Sequence, residues 1–429
     1  MMAGVSNLNA RRWYIAVAAI VMQLCLGTVY AWSVFKGPLK IAHGWSETAT
    51  QATFMLHIFS LGTAAAFGGI LVDKRGPRLV ATLGGILFGL GTLLAGLADQ
   101  ISNMALMWVG YGLIAGLGNG FAYVTPIATL TRWFPDKRGL VTGLAVMGFG
   151  AGAFFMGQIG PVMLAAFQTV DPAGVLVSSG VAKTFYIWGI VFLVAVTLGA
   201  QFFTNPPKGW LPDGFTFAPN VISDAASLSF AQALKTRQWW MLWLILFLNI
   251  AAGLGLISQL SPIAQKLYNP LLEPGLAENL ATAKLAWAGG LVVAVTSIFN
   301  GLGRLGWARI SDYVGRKQVF LVMFATQVVL YLLLGAGLVS NYWIFMLIGC
   351  YLLACYGGGF ATMPAFAADS FGAANIGRIY GFMLTAWSVA GVVGPLIFAQ
   401  IPAHALYVAA GLLAVGLVVT IGFRAPKIT

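Results

Sequence analysis

Gly69-Ile70-Leu71-Val72-Asp73-Lys74-Arg75-Gly76-Pro77-Arg78 is a short basic turn set between two long apolar runs, 49–72 and 77–98. About 20 apolar residues cross roughly 30 Å of hydrocarbon as a helix, so each run is long enough to span a bilayer. The turn has a counterpart: Arg309-Ile310-Ser311-Asp312-Tyr313-Val314-Gly315-Arg316-Lys317 separates the runs 285–309 and 318–339. Asp312 stands 239 positions after Asp73, and the segments at Phe134 and Phe371 stand 237 apart. The chain therefore reads as two copies of a six-span unit.

Working outward, apolar runs at 13–35, 49–72, 77–98, 102–130, 140–165, 183–204, 238–268, 285–309, 318–339, 342–368, 378–401 and 403–424 give twelve expected spans. The expected organisation is an N-terminal six-helix half at 1–204, a cytosolic linker at 205–237 and a C-terminal six-helix half at 238–429. The linker carries Pro206, Pro207, Pro212 and Pro219. The segment 269–284, with Pro270 and Pro274, fits either a short surface helix or a loop.

With 59% apolar and 8% charged residues and a mean hydropathy of +0.88, the 429-residue chain cannot be a soluble enzyme. Barrel strands of about ten residues with alternating polarity do not fit runs that are apolar all round. The expected class is an all-α membrane protein. Arg11 and Arg12 precede an apolar run too long for a cleavable signal, so the first span is expected to stay in place. Cys25, Cys350 and Cys355 lie inside apolar runs, implying neither a disulfide framework nor a catalytic thiol.

Of 23 Lys and Arg, 17 fall on one side of the expected spans and five on the other. This positive-inside bias predicts that both termini face the cytosol. Topology accounts for the formal charge of +12, so nucleic-acid binding is not implied. No metal site, no cofactor motif and no Ser-His-Asp arrangement is found. The glycines of span five lack the Gly-Lys-Ser/Thr ending of a phosphate loop and read as helix packing.

The remaining cation is Arg304. It lies eight residues before Asp312, about 12 Å up the helix at 1.5 Å per residue, near mid-bilayer. An arginine there costs at least about 2.5 kcal/mol on insertion scales, so it is expected to face a wet cavity and bind an anion. Every acidic residue can be placed in a connection or at a span end. Guanidinium offers a bidentate fork to one carboxylate, and Asn300 lies one turn away on the same face.

The pattern from Gly69 to Arg78, with Asp73, Arg75 and Gly76, resembles the A-motif of the major facilitator superfamily; Asp312 and Arg316 stand in its second copy. The resemblance implies a cytosolic gate. Arg132-Trp133-Phe134-Pro135-Asp136-Lys137-Arg138-Gly139, Tyr30-Ala31-Trp32 and Thr236-Arg237-Gln238-Trp239-Trp240 resemble the oxalate:formate antiporter-like and monocarboxylate transporter branch. That likeness runs along nearly the whole chain. It implies substrate binding by Arg304, Asn300, Asn119, Tyr123, Tyr356, Phe360, Trp387 and Tyr30. Trp387 stands where oxalate antiporters carry a second cation, which favours a monocarboxylate over a dicarboxylate. Animal monocarboxylate carriers have an aspartate where Asn300 stands and a lysine within span one, whereas Lys36 falls at the outer end of 13–35.

His57 is the one histidine deep within an expected span, His404 standing at the outer end of the twelfth, and is the candidate proton site, with packing as its plainer role. The expected function is secondary transport of lactate, pyruvate or a similar acid across the bacterial inner membrane by alternating access, with a proton. The expected partners are that anion, H+ and the lipid bilayer, with the chain acting as a monomer. Exchange of organic anions, as oxalate for formate, is the alternative.

Overall fold

The computed structural model describes residues 2–136, 138–170, 176–207, 210–212, 227–372 and 375–426. Among them twelve helices are long and apolar enough to cross a membrane: Leu8–His43, Glu47–Val72, Pro77–Gln100, Met104–Trp133, Gly143–Phe167, Val181–Ala200, Arg237–Ile257, Glu278–Val314, Arg316–Gly335, Tyr342–Phe371, Arg378–Gln400 and Ala405–Gly422. A backbone in lipid must satisfy its own polar groups, and helices do so. The connections are tight where caps and turns are strong. Ser46 accepts a hydrogen bond from the Ala49 amide, and Asn341 does the same for Trp343 and Ile344. Gly76 and Gly315 carry φ of 85° and 97°, a conformation glycine adopts without strain, and each joins consecutive spans.

Several boundaries differ from the hydropathy reading. Span one does not stop at 35; it passes through a 3-10 turn at Thr28–Ala31 and runs on to His43, so Lys36 lies inside it. Span seven ends at Ile257, and Leu260–Tyr268 is a separate helix after a break at Ser258 and Gln259. The segment 269–284 is a 3-10 turn at Asn269–Leu271 followed by an early start of span eight at Glu278. A two-stranded hairpin, Thr169–Val170 against Leu176–Ser178, joins spans five and six. The expected linker 205–237 is described only in part, and its described portion includes a helix, Phe230–Leu234, with a complete capping box at Ser229.

Two helix pairs bring the first six spans against the last six. Span two packs along span eleven and span five along span eight. Both seams close through small residues. A Cβ on Gly150 would lie 2.9 Å from Gly301, and one on Gly157 2.9 Å from the Ala294 amide. Gly62 and Gly391 likewise seat Ser388 and Ile58 across the other seam. The seam between spans two and eleven holds at both ends. Near the terminus-bearing face Phe67 meets Phe382 at 5.4 Å, and near the opposite face Gln400 donates to the Thr48 hydroxyl at 2.9 Å.

Candidate functional site: an arginine in an aromatic collar

Arg304 sits in the long eighth span and is 1% exposed. Its Nε reaches the Asn300 side-chain oxygen at 3.4 Å, while both terminal nitrogens are buried without a hydrogen-bond partner. The hydroxyls of Tyr30 and Tyr123 lie within loose hydrogen-bonding reach of the guanidinium, though neither gives its terminal nitrogens a bond of good geometry. The guanidinium carbon lies 5.0 Å from the Phe360 ring centre and 5.9 Å from that of Phe149, so two aromatic faces flank the cation.

Those rings belong to a closed collar. Tyr30 meets Phe149 at 5.3 Å, Phe149 meets Trp387 at 5.7 Å, Trp387 meets Phe360 at 4.9 Å, and Phe360 meets Tyr356 at 5.4 Å. Tyr356 returns to Tyr30, hydroxyl to hydroxyl at 2.7 Å. Tyr123 edges both Phe149 and Trp387. Local irregularities set these side chains: Tyr30 lies in the 3-10 turn of span one, Phe149 just before a break at Gly152, and Trp387 just after one at Leu384. Gly357 in span ten lets Asn300 and Arg304 approach closely, since a Cβ there would lie 3.1 Å from Arg304 Cγ. Spans one, four and five thus supply one side of the collar, and spans eight, ten and eleven the other.

The structure therefore gathers Arg304, Asn300, Tyr30, Tyr123, Tyr356, Phe360 and Trp387 in one place. It adds Phe149, which a sequence reading cannot tell from any lipid-facing phenylalanine. Asn119 is placed differently: its amide donates to the Leu26 carbonyl and to His57 Nε2, both at 3.1 Å. His57 is wholly buried, and its Nδ1 meets the Tyr111 carbonyl at 2.8 Å. A carbonyl only accepts, so Nδ1 carries the hydrogen and Nε2 is the acceptor for Asn119. Both nitrogens are engaged as a neutral ring would be, within the first six spans. Replacing His57 by glutamine is expected to lower thermal stability and to leave the response of uptake to an imposed pH gradient the same as in the parent; a changed response would restore the titrating role.

The gate-motif residues divide. In the second copy, Arg316 pairs with Asp312 at 2.5 Å and with Asp369 at 3.2 Å, and also bonds Ser311, tying the end of span ten to the eight–nine turn. In the first copy Arg75 and Arg78 are exposed, while the Asp73 side chain lies outside the described residues. At Gly69 a Cβ would meet only Val124, at an ordinary 3.9 Å, so packing does not demand glycine there. Arg12 pairs with Asp136 at 2.8 Å on the same face.

The opposite face holds a cluster that hydropathy does not reveal. Lys36 is 2% exposed and donates to Glu47 at 2.5 Å, to the Gln259 side-chain oxygen at 2.8 Å and to the Ser258 carbonyl at 3.3 Å. Lys40 takes the second Glu47 oxygen at 2.6 Å, and Gln259 donates back to the carboxylate. Lys36 is thus not a solvated span end. Asp99 is also buried, held by His43, by the Ser179 hydroxyl and by the Ala182 amide. Among the described residues no three His, Cys, Asp or Glu side chains come together as metal ligands would.

The profile of the Major Facilitator Superfamily matches residues 15–268 and 254–427. The chain belongs to the major facilitator superfamily. As a member it is a multi-pass membrane transporter rather than an enzyme. It is 28% identical to the oxalate:formate antiporter of Oxalobacter formigenes, over 91% of this chain and 84% of that one. It is 25% identical to apicoplast pyruvate carrier 1 of Toxoplasma gondii, over 87% of this chain and 81% of the relative. The fold matches a solved bacterial homologue of the human lysosomal transporter Spinster with a TM-score of 0.61 at 16% identity, covering 96% of this chain and 94% of that one. Two of its relatives within the superfamily are thus named as an antiporter of oxalate and formate and as a carrier of pyruvate.

Proposed function

We propose that this facilitator carries one small monocarboxylate at a time, lactate or pyruvate being the type, together with a proton. The two terminal nitrogens of Arg304, buried without partners inside the collar, carry the reading. An unmatched guanidinium in a dry place is costly, and a planar carboxylate matches its fork. In low dielectric that pairing is far stronger than in water. The collar's rings, drawn from both sets of six spans, would part on one face and then on the other as the sets rock, giving alternating access. The excess of basic residues on one side of the spans supports cytosolic termini in a bacterial inner membrane, and a monomer suffices for this cycle.

A lone anion moved against 100 mV costs about 2.3 kcal/mol, whereas an acid and its proton cross as a neutral load. With both His57 nitrogens bonded to neighbours, the proton is best shared by the substrate's own carboxylate. The test is uptake of labelled lactate, formate and oxalate into proteoliposomes with and without an inward proton gradient. Lactate uptake is expected to rise with the gradient, and oxalate to be a poor substrate. Indifference to the gradient together with formate-driven oxalate uptake would establish the exchange carried out by the Oxalobacter relative.

A further inference from the structure

On the terminus-bearing face, away from the collar, a cavity of about 590 Å³ opens between the two–three turn and the end of span six. Arg75, Arg78 and Thr82 line it from one side, and Gln201, Thr204 and Asn205 from the other; none of its lining residues is acidic. Its wall has donors to spare and few acceptors. The amides of Gln201, Phe202 and Phe203 already close on the Leu198, Gly199 and Ala200 carbonyls, and the Trp133 indole donates to the Thr204 carbonyl at 2.5 Å. Arg132 donates to the Asn205 side-chain oxygen at 2.8 Å, and Gln201 to the Thr82 hydroxyl at 3.0 Å. Among the described residues Arg75 and Arg78 have no hydrogen-bond or ion-pair partner, and the Thr204 hydroxyl is buried without one.

The second six-span set fills the same corner from within. Lys317 stands 239 positions after Arg78 and donates to the Ile421 and Phe423 carbonyls, at 2.8 and 3.0 Å, at the end of span twelve. Val314 stands where the first set has Arg75. The first set thus keeps two guanidiniums at this corner and gives them nothing to bind. An anion is the missing partner. The neighbouring surface indicates what else that anion carries: Leu79 and Leu83 of span three, Leu198 of span six and Phe202 just beyond it are all exposed, an apolar strip that ends at the arginines.

We propose that this corner seats the headgroup phosphate of an anionic phospholipid, phosphatidylglycerol being the type, with its acyl chains along the strip formed by spans three and six. Arg75 and Arg78 take the phosphate oxygens, which their planar forks match. The Thr204 hydroxyl and the first amides of span three, which no side chain caps, supply further donors. A soluble phosphate would satisfy the arginines and leave the strip unused. The site is separate from Arg304, so it stands whichever acid the carrier moves.

The experiment titrates the purified full chain in neutral detergent with dioleoylphosphatidylglycerol, dioleoylphosphatidylcholine or inorganic phosphate, and reads lipid retained per protein together with thermal unfolding, since a ligand of the folded state raises Tm. The two lipids share phosphate and chains and differ by a cation that the arginines repel. The parent is expected to bind phosphatidylglycerol at least about tenfold more tightly than phosphatidylcholine. Arg75→Gln combined with Arg78→Gln is expected to bring that ratio to within about twofold of one, with the Tm of the lipid-free protein unchanged because neither side chain is bonded. Lys74→Gln removes an exposed charge from the same turn but outside the cavity, and is expected to keep the parental ratio. Equal binding of the two lipids by the parent overturns the proposal. So does a loss in Lys74→Gln as large as in the double variant, which would mean diffuse attraction of a basic turn to the membrane. Inorganic phosphate that raises Tm as much as phosphatidylglycerol overturns it as well, in favour of a soluble anion.

Discussion

Arg304→Lys is expected to remove nearly all carboxylate uptake, by roughly 100-fold or more, with the protein still folded. Lysine keeps the charge and loses the planar fork. A charge-assisted hydrogen bond contributes about 1.5–3 kcal/mol, so replacing two parallel bonds by one point contact costs a factor of ten or more in binding alone. Position adds to this. The guanidinium is held between the Phe149 and Phe360 rings and braced by Asn300 at 3.4 Å. An ammonium is compact and strongly hydrated, and would lack that planar seat. Initial uptake rates, with thermal unfolding in detergent as the control for folding, decide the matter. Parental uptake in the lysine variant would mean that charge alone is recognised, and the bidentate site would have to be abandoned.

Gly150→Val is expected to depress transport by roughly tenfold or more by overpacking the seam beside Arg304. Gly150 faces Gly301 across spans five and eight, and a Cβ would lie 2.9 Å from its Cα and 3.0 Å from Arg304 Nε. Valine adds two more carbons against backbone, which cannot yield as a side-chain end does. Overpacking of this kind costs about 1–3 kcal/mol, and here the cost falls on the closed arrangement alone, because separated helices relieve it. The cycle then loses the state that both of its faces must pass through. Gly143, on the same seam, is the control: its Cβ would meet only the Leu305 methyl, a flexible end, so Gly143→Ala is expected to transport within about twofold of the parent. Equal rates for parent and Gly150→Val would show that the seam does not close in the cycle.

Much of this molecule is legible in order of residues because lipid imposes a simple rule. A span must be apolar for about 20 residues, so breaks such as Asp73–Arg78 and Asp312–Lys317 stand out, and so does an arginine far from any break. Arg304 is the cation that a positive-inside count leaves over. The same rule hides whatever is apolar for another reason. Phe149 reads like any lipid-facing phenylalanine, and its place against the guanidinium depends on span five meeting span eight. Lys36 reads as a span end because its partner Gln259 lies 223 positions away. Asn119 fails differently: its spacing to Tyr123 puts both on one helix face, yet its amide is taken by Leu26 and His57 of its own six-span set.

Lys36 also bears on how the carrier idles. Two of its three acceptors, the Gln259 side chain and the Ser258 carbonyl, come from the far side of the seam, and Glu47 is already shared with Lys40. Parting the spans there strips a desolvated ammonium of most of its company until solvent floods in. The seam thus has a built-in reluctance to gape on that side.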